Sequence, residues 1–212
     1  MPAQTSSIFK QTANWRNLNL YHKSDILYQL TVVFCRRFLP PYGDRTVDQM
    51  VQAARSGKQN IVEGSEDGKT STEMELKLLN VARSSIGELR EDYEDYIKSH
   101  SLQRWDKKHP RFNGMLLFCR GHNEFADYVA IAEKMTSEEL CNMAITLCHL
   151  TDKMLVSYLG FLEQRFVTEG GIKERMYSAR TGYRQEQDNK MAALERENQR
   201  LKELLRQHGI QF

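Results

Sequence analysis

Two stretches of small residues, separated by a polar break, constrain the fold of this chain more than any other feature. The first, AARSGKQNIVEG, covers residues 53–64, and the second, STEMELKLLNVARSSIGEL, covers residues 71–89. Both predict helices, yet glycine weakens a helix interior by about 1 kcal/mol relative to alanine, and serine weakens it less. The small residues therefore indicate two antiparallel helices in close contact. We predict that this contact contains Ala54, Gly57, Asn60, Gly64, Ala82 and Ser85.

The face that these small side chains form on the two helices has two interpretations. It packs against a neighbouring helix, or it accepts a ligand or a nucleic acid. Apolar residues make up 40% of the 212 residues, which is enough for one hydrophobic core. We favour the packing interpretation, because so many small residues inside two helices are expected where two backbones approach closely.

Apolar residues at helical spacing predict a long helix before the small stretches. It covers about residues 20–39 and ends at two prolines, because the second proline disfavours a helical conformation of the first. The next helix begins after Asp44 or Thr46, either of which can cap it, and ends near Gly64.

Two further long helices complete the predicted domain. One covers about residues 72–99, with a capping box between its first residue and Glu75, and the other covers about 136–166, with a box to Glu139. Four amphipathic helices without a convincing strand predict an all-α protein, with an antiparallel four-helix bundle and a C-terminal helical, coiled-coil-like extension.

Residues 101–135 interrupt this pattern with Trp105, Pro110 and Gly114. We predict a loop here with one short helix near residues 125–134. The predicted division of the chain is an irregular segment at 1–17, a bundle with this insert at 18–169, and a basic suffix with a coiled-coil-like tail at 170–212.

The end of the chain carries a heptad pattern. Met191, Asn198 and Leu205 take a positions, and Leu194 and Leu201 take d positions. An Asn at one a position is a known device for fixing the register of a coiled coil. Only two to three heptads are present, so three interpretations stay open: self-association, docking on the chain's own bundle, and a frayed tail.

Charge is unevenly distributed along the chain. Residues 1–60 carry a net charge of +5, residues 61–100 carry −5, residues 101–171 carry −1 and residues 172–212 carry +3. Basic ends of this kind are compatible with nucleic-acid contact, although they also fit solvation and ion pairing. The candidates for phosphate contact are Lys23, Arg36, Arg37, Arg45, Arg55, Lys58, Arg175, Arg180 and Arg184.

Motifs of catalytic or cofactor chemistry are absent from the sequence. It contains no P-loop, no GxGxxG, no HExxH and no CxxC, and no histidine follows a glutamate by three residues. We predict no catalytic residue, no metal and no cofactor. Asn60, Glu63 and Glu88 are expected to form a polar network at the corner between the two small-residue helices, with an acid–base pair as the alternative.

The four cysteines lie in apolar helical contexts without paired spacing. They predict reduced core residues of a cytoplasmic protein, and a metal site at Cys141, Cys148 and His149 is the weaker alternative. No apolar run is long enough to span a membrane, and the first residues lack the apolar segment of a secretory signal.

The pattern of the small-residue helices resembles a known family. A first helix ends in Asn-Ile-x-Glu-Gly, and a second contains Ala-x-x-Ser-x-x-Glu-Leu. This is similar to the four-helix bundle proteins of intervening sequences in 23S ribosomal RNA genes, a family that includes the accessory variability determinant of diversity-generating retroelements. The matching positions are Asn60, Ile61, Glu63, Gly64, Ala82, Ser85, Glu88 and Leu89.

The resemblance implies a ring-shaped homopentamer that binds RNA or an RNA–DNA intermediate through basic residues and partners a reverse transcriptase. It covers about residues 15–165, and the insert and the tail depart from it. The resulting hypothesis is a non-enzymatic, homo-oligomeric accessory protein. The alternative is a protein–protein scaffold that recruits a partner through its coiled-coil tail without binding nucleic acid.

Overall fold

The structure, a computed structural model, describes residues 14–40 and 45–209, and these contain helices and no strand. None of the described helices combines the length and the apolar character that crossing a membrane requires. After a 3-10 turn at Trp15–Asn17, the helices are α1 (Asn19–Phe38), α2 (Arg45–Asp67), α3 (Thr72–Ser99), α4 (Phe112–Gly121), α5 (Phe125–Ala132), α6 (Ser137–Glu169) and α7 (Ile172–Gln207).

The described residues form two compact units. We call residues 14–40 and 45–168 the core unit and residues 169–209 the tail unit. The predicted all-α class is confirmed for the described residues. Residues 1–13, most of the segment predicted to be irregular, lie outside them, as does Asp44, one of the two predicted caps of α2.

Side-chain contacts show that α2 runs antiparallel to both α1 and α3. Lys58 pairs with Asp25 of α1 at 3.1 Å. Between α2 and α3, the hydroxyl groups of Ser56 and Ser85 lie 2.9 Å apart, and further along α2 Gly64 lies against Leu78. At the end of α2, Trp15 Nε1 donates to Glu66 at 3.1 Å and ties the first described residues to this helix.

The helix α6 runs antiparallel to α3. Arg83 Nε donates to Asp152 at 2.7 Å, and Tyr158 donates to Glu75, one turn from the start of α3, at 2.9 Å. Because residue numbers rise along α3 while their partners' numbers fall along α6, the two helices have opposite directions.

The close approach of α2 and α3 depends on glycine. A Cβ atom on Gly57 would lie 2.9 Å from Cγ1 of Ile86, and one on Gly64 would lie 3.3 Å from Cβ of Leu78. Ala54 is buried beside them. A larger side chain at Gly57 would force the two helices or the Ile86 side chain to move.

One section of α6 is buried on every side. The nine residues Leu140–Cys148 are all buried, whereas an amphipathic helix at a surface buries only one face. Part of the cover comes from the predicted insert, in which Trp105, Cys119 and Tyr128 are fully or almost fully buried. The insert is therefore part of the core.

The prediction of one short helix in the insert was incomplete, because the structure contains α4 as well as α5. Pro110 does not interrupt α4, since the helix begins two residues later. Gly114 is tolerated inside α4 and faces open space. His122, Asn123 and Glu124 separate the two helices.

Asn142 ties the start of the insert to α6. Its side-chain oxygen accepts from the backbone N–H of Trp105 at 2.7 Å, and its amide nitrogen donates to the carbonyl oxygens of Gln103 at 2.8 Å and Glu138 at 2.9 Å. Trp105 Nε1 also donates to the Glu138 carboxylate at 2.9 Å. No structural role was predicted for Asn142.

The helix caps differ in part from the predictions. Ser71, not Thr72, caps α3, because its side chain accepts from the N–H of Met74. At α6 the predicted reciprocal bonds between Thr136 and Glu139 are present, at 2.8 and 3.3 Å. The helix α2 continues to Asp67, three residues beyond its predicted end.

The tail unit is dominated by one helix. The basic suffix and the heptad segment both belong to α7, which has 36 residues and no buried side chain. Gly170, with φ of 70°, precedes the helix. The carboxylate of Glu174 accepts from the N–H of Gly171 and caps the first turn of α7.

Candidate nucleic-acid interface

Lys23 is the clearest departure from the predicted phosphate-binding surface. Its side chain is fully buried, and its ammonium donates to the carbonyl oxygens of Cys119 and His122 at the end of α4. These carbonyls lack partners within their own helix, and a cation is favourable at a helix C-terminus. Burial lowers the pKa of Lys23, although Cys119 and Asp127 act in the opposite direction.

The two neighbouring arginines of α1 are also engaged. Arg37 donates to the carbonyl oxygens of Ala132 and Met135, the latter at 2.9 Å, and so caps the end of α5. Arg36 pairs with Glu133. The helix α1 thus supplies a cationic cap to each of the two short insert helices, through Lys23 and Arg37. Arg36 is exposed, and its ion pair lies at the surface.

On α2, one basic candidate is engaged and two are free. Lys58 pairs with Asp25 and lies over the ring of Tyr28, at 4.4 Å from the centroid. Arg45 and Arg55 are exposed, and neither has an ion-pair partner among the described residues. Arg55 and Lys58 therefore do not act as an unoccupied pair.

The small-residue face borders a groove that is acidic. This α2–α3 groove has a volume of about 410 Å³ and is lined by Gln49, Gln52, Ala53, Ser56, Ser85, Glu88 and Asp92. Burial raises the pKa of Asp92, and the charges of Asp95 and Glu88 raise it further. Carboxylates repel phosphate, so the groove is an unfavourable surface for nucleic acid.

The corner network contains other residues than predicted. Asn60 Nδ2 donates to the backbone oxygen of Ser56 at 2.9 Å and to its hydroxyl at 3.2 Å, and this hydroxyl meets Ser85. Neither Glu63 nor Glu88 takes part in this network. Serine side chains between the helices supply the polar contacts that were predicted for carboxylates.

All four cysteines are buried, and none of them forms a disulfide within the described residues. Burial raises the pKa values of Cys119, Cys141 and Cys148, which keeps these thiols protonated at neutral pH. The pKa of His149 is lowered by burial and by the charges of Arg90 and Arg104. Within the described residues no group of three or more histidine, cysteine or acidic side chains is placed to hold a metal ion.

Most of the basic candidates of the core unit are already paired, whereas the basic residues of α7 remain accessible for phosphate contact. Arg180 and Arg184 are exposed and have no carboxylate partner within the described part of the chain. Two nearby acids are occupied, since Glu174 caps Gly171 and Glu186 pairs with Lys190 at 2.7 Å. Arg175 is half-buried, and its Nε has no hydrogen-bond partner within the described residues.

The heptad residues of α7 are also accessible. Met191, Leu194 and Leu201 are 58%, 66% and 51% exposed, Asn198 is exposed and Leu205 is half-buried. Exposed apolar side chains at heptad spacing are available for a second helix.

Two residues of the candidate interface were missed in the sequence. Tyr177 and Tyr183 are 73% and 64% exposed and alternate with the arginines of α7. Tyr177 lies three residues before Arg180, and Tyr183 lies three residues after it, which places these side chains near one another on the helix surface. This spacing could have identified the two tyrosines in the sequence, because aromatic residues among arginines are typical of single-strand binding.

Comparison of the chain with known protein families, curated proteins and solved structures finds no match.

Proposed function

We propose that this protein is a non-enzymatic, homo-oligomeric accessory protein. It binds nucleic acid chiefly through the basic half of α7, residues 172–184. The observation that carries the proposal is the exposure of Arg180 and Arg184 without carboxylate partners in the described residues. Phosphate contacts from such side chains supply most of the affinity in sequence-independent nucleic-acid binding. Arg45 and Arg55 of α2 are the remaining candidates in the core unit.

We infer that α1, α2, α3 and α6 form an antiparallel four-helix bundle, to which α4 and α5 are added. The antiparallel contacts of α2 with α1 and α3 support this arrangement, as do the contacts between α3 and α6. A hydrogen bond of 2.9 Å from Tyr93 to Thr31 joins α1 to α3 inside it. Up-down-up-down bundles have this sequence of directions.

The proposed oligomer depends on the exposed heptad side chains of α7. Residues such as Leu194 and Leu201 are removed from water when a second helix covers them, and this favours association. The pentamer and the partnership with a reverse transcriptase come from the family resemblance alone. Light scattering coupled to size exclusion measures the oligomer number.

Fluorescence anisotropy with a labelled RNA hairpin carrying a single-stranded tail tests the proposed function. We expect binding at about 50 mM salt that weakens at least tenfold by about 200 mM salt, because bound phosphates release counterions. Absence of binding at the lower salt, or an affinity that does not change with salt, would refute nucleic-acid binding.

A protein–protein scaffold is the second candidate. Its support is that the core unit uses Lys23, Arg37 and Lys58 internally, while α7 exposes apolar side chains that suit a partner helix. A protein that assembles through α7 but ignores RNA at low salt would favour this role. Deletion of residues 184–212 should then abolish the capture of its partner, whereas Arg55→Ala and Lys58→Ala should not affect it.

A further inference from the structure

The basic half and the heptad half of α7 share one face of the same helix. Arg184 and Tyr177 lie seven and fourteen residues before Met191, and Arg180 lies fourteen residues before Leu194. On a straight helix each interval of seven residues turns the position by only about 20°. Because α7 is continuous from Ile172 to Gln207, the arginines stand in line with the apolar heptad residues.

This alignment limits where two copies of α7 can pair. In a parallel pair, residues at a and d positions face their counterparts in the other helix. Met191, Leu194 and Leu201 are suited to such a seam, but Arg180 and Arg184 would bring like charges together. Pairing is therefore favourable after about residue 187 and unfavourable before it, so that the basic segments of the two helices diverge.

The diverging segments carry a specific set of side chains, all of them exposed. Lys173, Arg180 and Arg184 provide positive charge, and Tyr177 and Tyr183 lie between them on neighbouring turns. The segment from Ile172 to Arg184 is roughly 20 Å long at 1.5 Å per residue. We call this segment the basic arm.

We propose that two basic arms, held side by side by the heptad seam of two α7 helices, form a clamp for single-stranded nucleic acid. Phosphates of the strand neutralise Arg180 and Arg184, whose mutual repulsion opposes pairing in the free protein. Unpaired bases stack on Tyr177 and Tyr183. The clamp rests on the proposed function, and it adds the class of nucleic acid and a link between binding and assembly.

The tyrosines decide between a single strand and a duplex. Stacking requires the face of a base, which is accessible in a single strand and is covered by its neighbours in a duplex. A duplex offers phosphates to the arginines and leaves Tyr177 and Tyr183 without a partner. We therefore assign the clamp to a single strand.

The link between strand binding and assembly is reciprocal. If the strand favours the paired form of α7, then pairing raises the affinity for the strand by the same factor. The free protein carries like charges at the start of its seam and has only two to three heptads, so its own pairing is weak. An oligonucleotide should accordingly increase self-association.

The first test compares two double variants of the full chain that remove the same charge. Arg180→Gln with Arg184→Gln removes charge from the seam face, whereas Arg196→Gln with Arg200→Gln removes it from the opposite face of α7. Sedimentation velocity measures self-association, and anisotropy measures binding of a labelled 20-nucleotide dT strand. Circular dichroism of each variant checks that its helix content is unchanged.

We expect the seam-face variant to self-associate more tightly than the wild type and to bind dT at least about tenfold more weakly. Its salt dependence should also fall, by about 0.7 in the log–log slope for each phosphate that the variant no longer neutralises. The opposite-face variant should change both properties much less. Equal effects of the two variants would overturn the clamp.

The second test concerns stacking. Tyr177→Ala with Tyr183→Ala should weaken binding of the dT strand by about tenfold or more, since stacking on each aromatic residue is worth about 1–3 kcal/mol per base, which corresponds to about five- to 150-fold in affinity. Tyr177→Phe with Tyr183→Phe keeps the rings and should bind like the wild type. A duplex of the same length that binds as tightly as the single strand would overturn the assignment.

The outcomes separate this inference from the proposed function. Wild-type binding that neither the arginine nor the tyrosine variants weaken would place the interface elsewhere, for example at Arg45 and Arg55. It would reject the clamp and the assignment of the interface to α7, but not nucleic-acid binding itself. No binding of any strand by the wild type would reject both. Unchanged self-association of the seam-face variant would reject the charge argument whatever the binding result.

Discussion

The ammonium of Lys23 completes the end of α4, because it donates to two carbonyl oxygens that have no partner within that helix. The hydroxyl of Tyr128 donates toward the same two oxygens, that of His122 at 3.0 Å and that of Cys119 at 3.4 Å. The cost of burying a lysine is offset by these hydrogen bonds and by the helix dipole. The residue is therefore part of the structure of the core.

Lys23→Ala should destabilise the protein by about 3 kcal/mol, since it leaves a cavity and removes a donor from buried carbonyls. Arg55→Ala, a change at an exposed residue of the neighbouring helix, should stay within about 0.5 kcal/mol of the wild type. Urea unfolding followed by circular dichroism measures both. Equal stability of the two variants would show that Lys23 is not buried in solution.

The buried thiol of Cys119 makes the stability of the protein depend on pH. Burial raises its pKa from 9.0 to about 12, although Lys23 lowers it. Because the folded pKa exceeds the unfolded one, the folded state keeps the proton longer. The resulting stabilisation is fully present below pH 9 and is lost as the pH rises from 9 to about 12.

We expect the unfolding free energy to fall between about pH 8.5 and about pH 10.5 under reducing conditions, and Cys119→Ala to reduce that fall by about 2 kcal/mol. Val33→Ala is the control, because it shortens a buried side chain that does not titrate. Its stability should be lower at both pH values while the fall stays as in the wild type. An unchanged fall in Cys119→Ala would contradict the burial of this thiol.

At the scale of elements, the contact between α2 and α3 depends on which glycines face the neighbouring helix. Gly57→Ala places a methyl group against Ile86 and should cost about 1 kcal/mol net, despite the better helix propensity of alanine. Gly87→Ala has open space around it and should stabilise by up to about 1 kcal/mol. Chemical denaturation of both variants gives the comparison, and a stabilised Gly57→Ala would show that the helices are further apart.

The attachment of the insert to α6 is a second element-scale feature. Asn142→Ala removes three hydrogen bonds to backbone groups and should cost about 2–3 kcal/mol. It should also speed trypsin cleavage at Lys107 and Lys108. Asn80→Ala, at an exposed site on α3, is the control for both measurements. Unchanged cleavage would mean that another contact holds the insert.

Periodicity predicted the long helices because their apolar stripes are a local property of the sequence. The start and end of α1, α3 and α6 lie close to the structural bounds for that reason. The helix α4 was not predicted, because it packs against residues far away in the chain and is capped by the distant Lys23. The position of Trp105 also depends on distant residues. The same distance explains why Lys23 and Arg37 of α1 were predicted to lie on a binding surface, whereas they cap α4 and α5.

At the scale of the whole molecule, the buried apolar side chains among the described residues all belong to the core unit. They lie between Leu20 and Leu162, and α7 contributes none. A chain that ends at residue 170 should therefore unfold cooperatively with a melting temperature within about 2 °C of the full protein, because it keeps each of these buried side chains. Calorimetry measures this shift.

The same truncation should reduce the helical signal by the share of the 36 residues of α7. The full chain supplies the control, since its far-ultraviolet circular dichroism includes both units. Loss of cooperative unfolding in the truncated chain would contradict a self-sufficient core unit.

Gly170, which separates the two longest helices, has a genetic consequence. Its φ of 70° costs other residues about 1–2 kcal/mol, and a Cβ there would lie 2.7 Å from the carboxylate of Glu174. Every missense change in this codon installs a side chain in a backbone conformation that favours glycine, and that side chain meets the carboxylate that caps α7. Natural variation at this codon should therefore be rare.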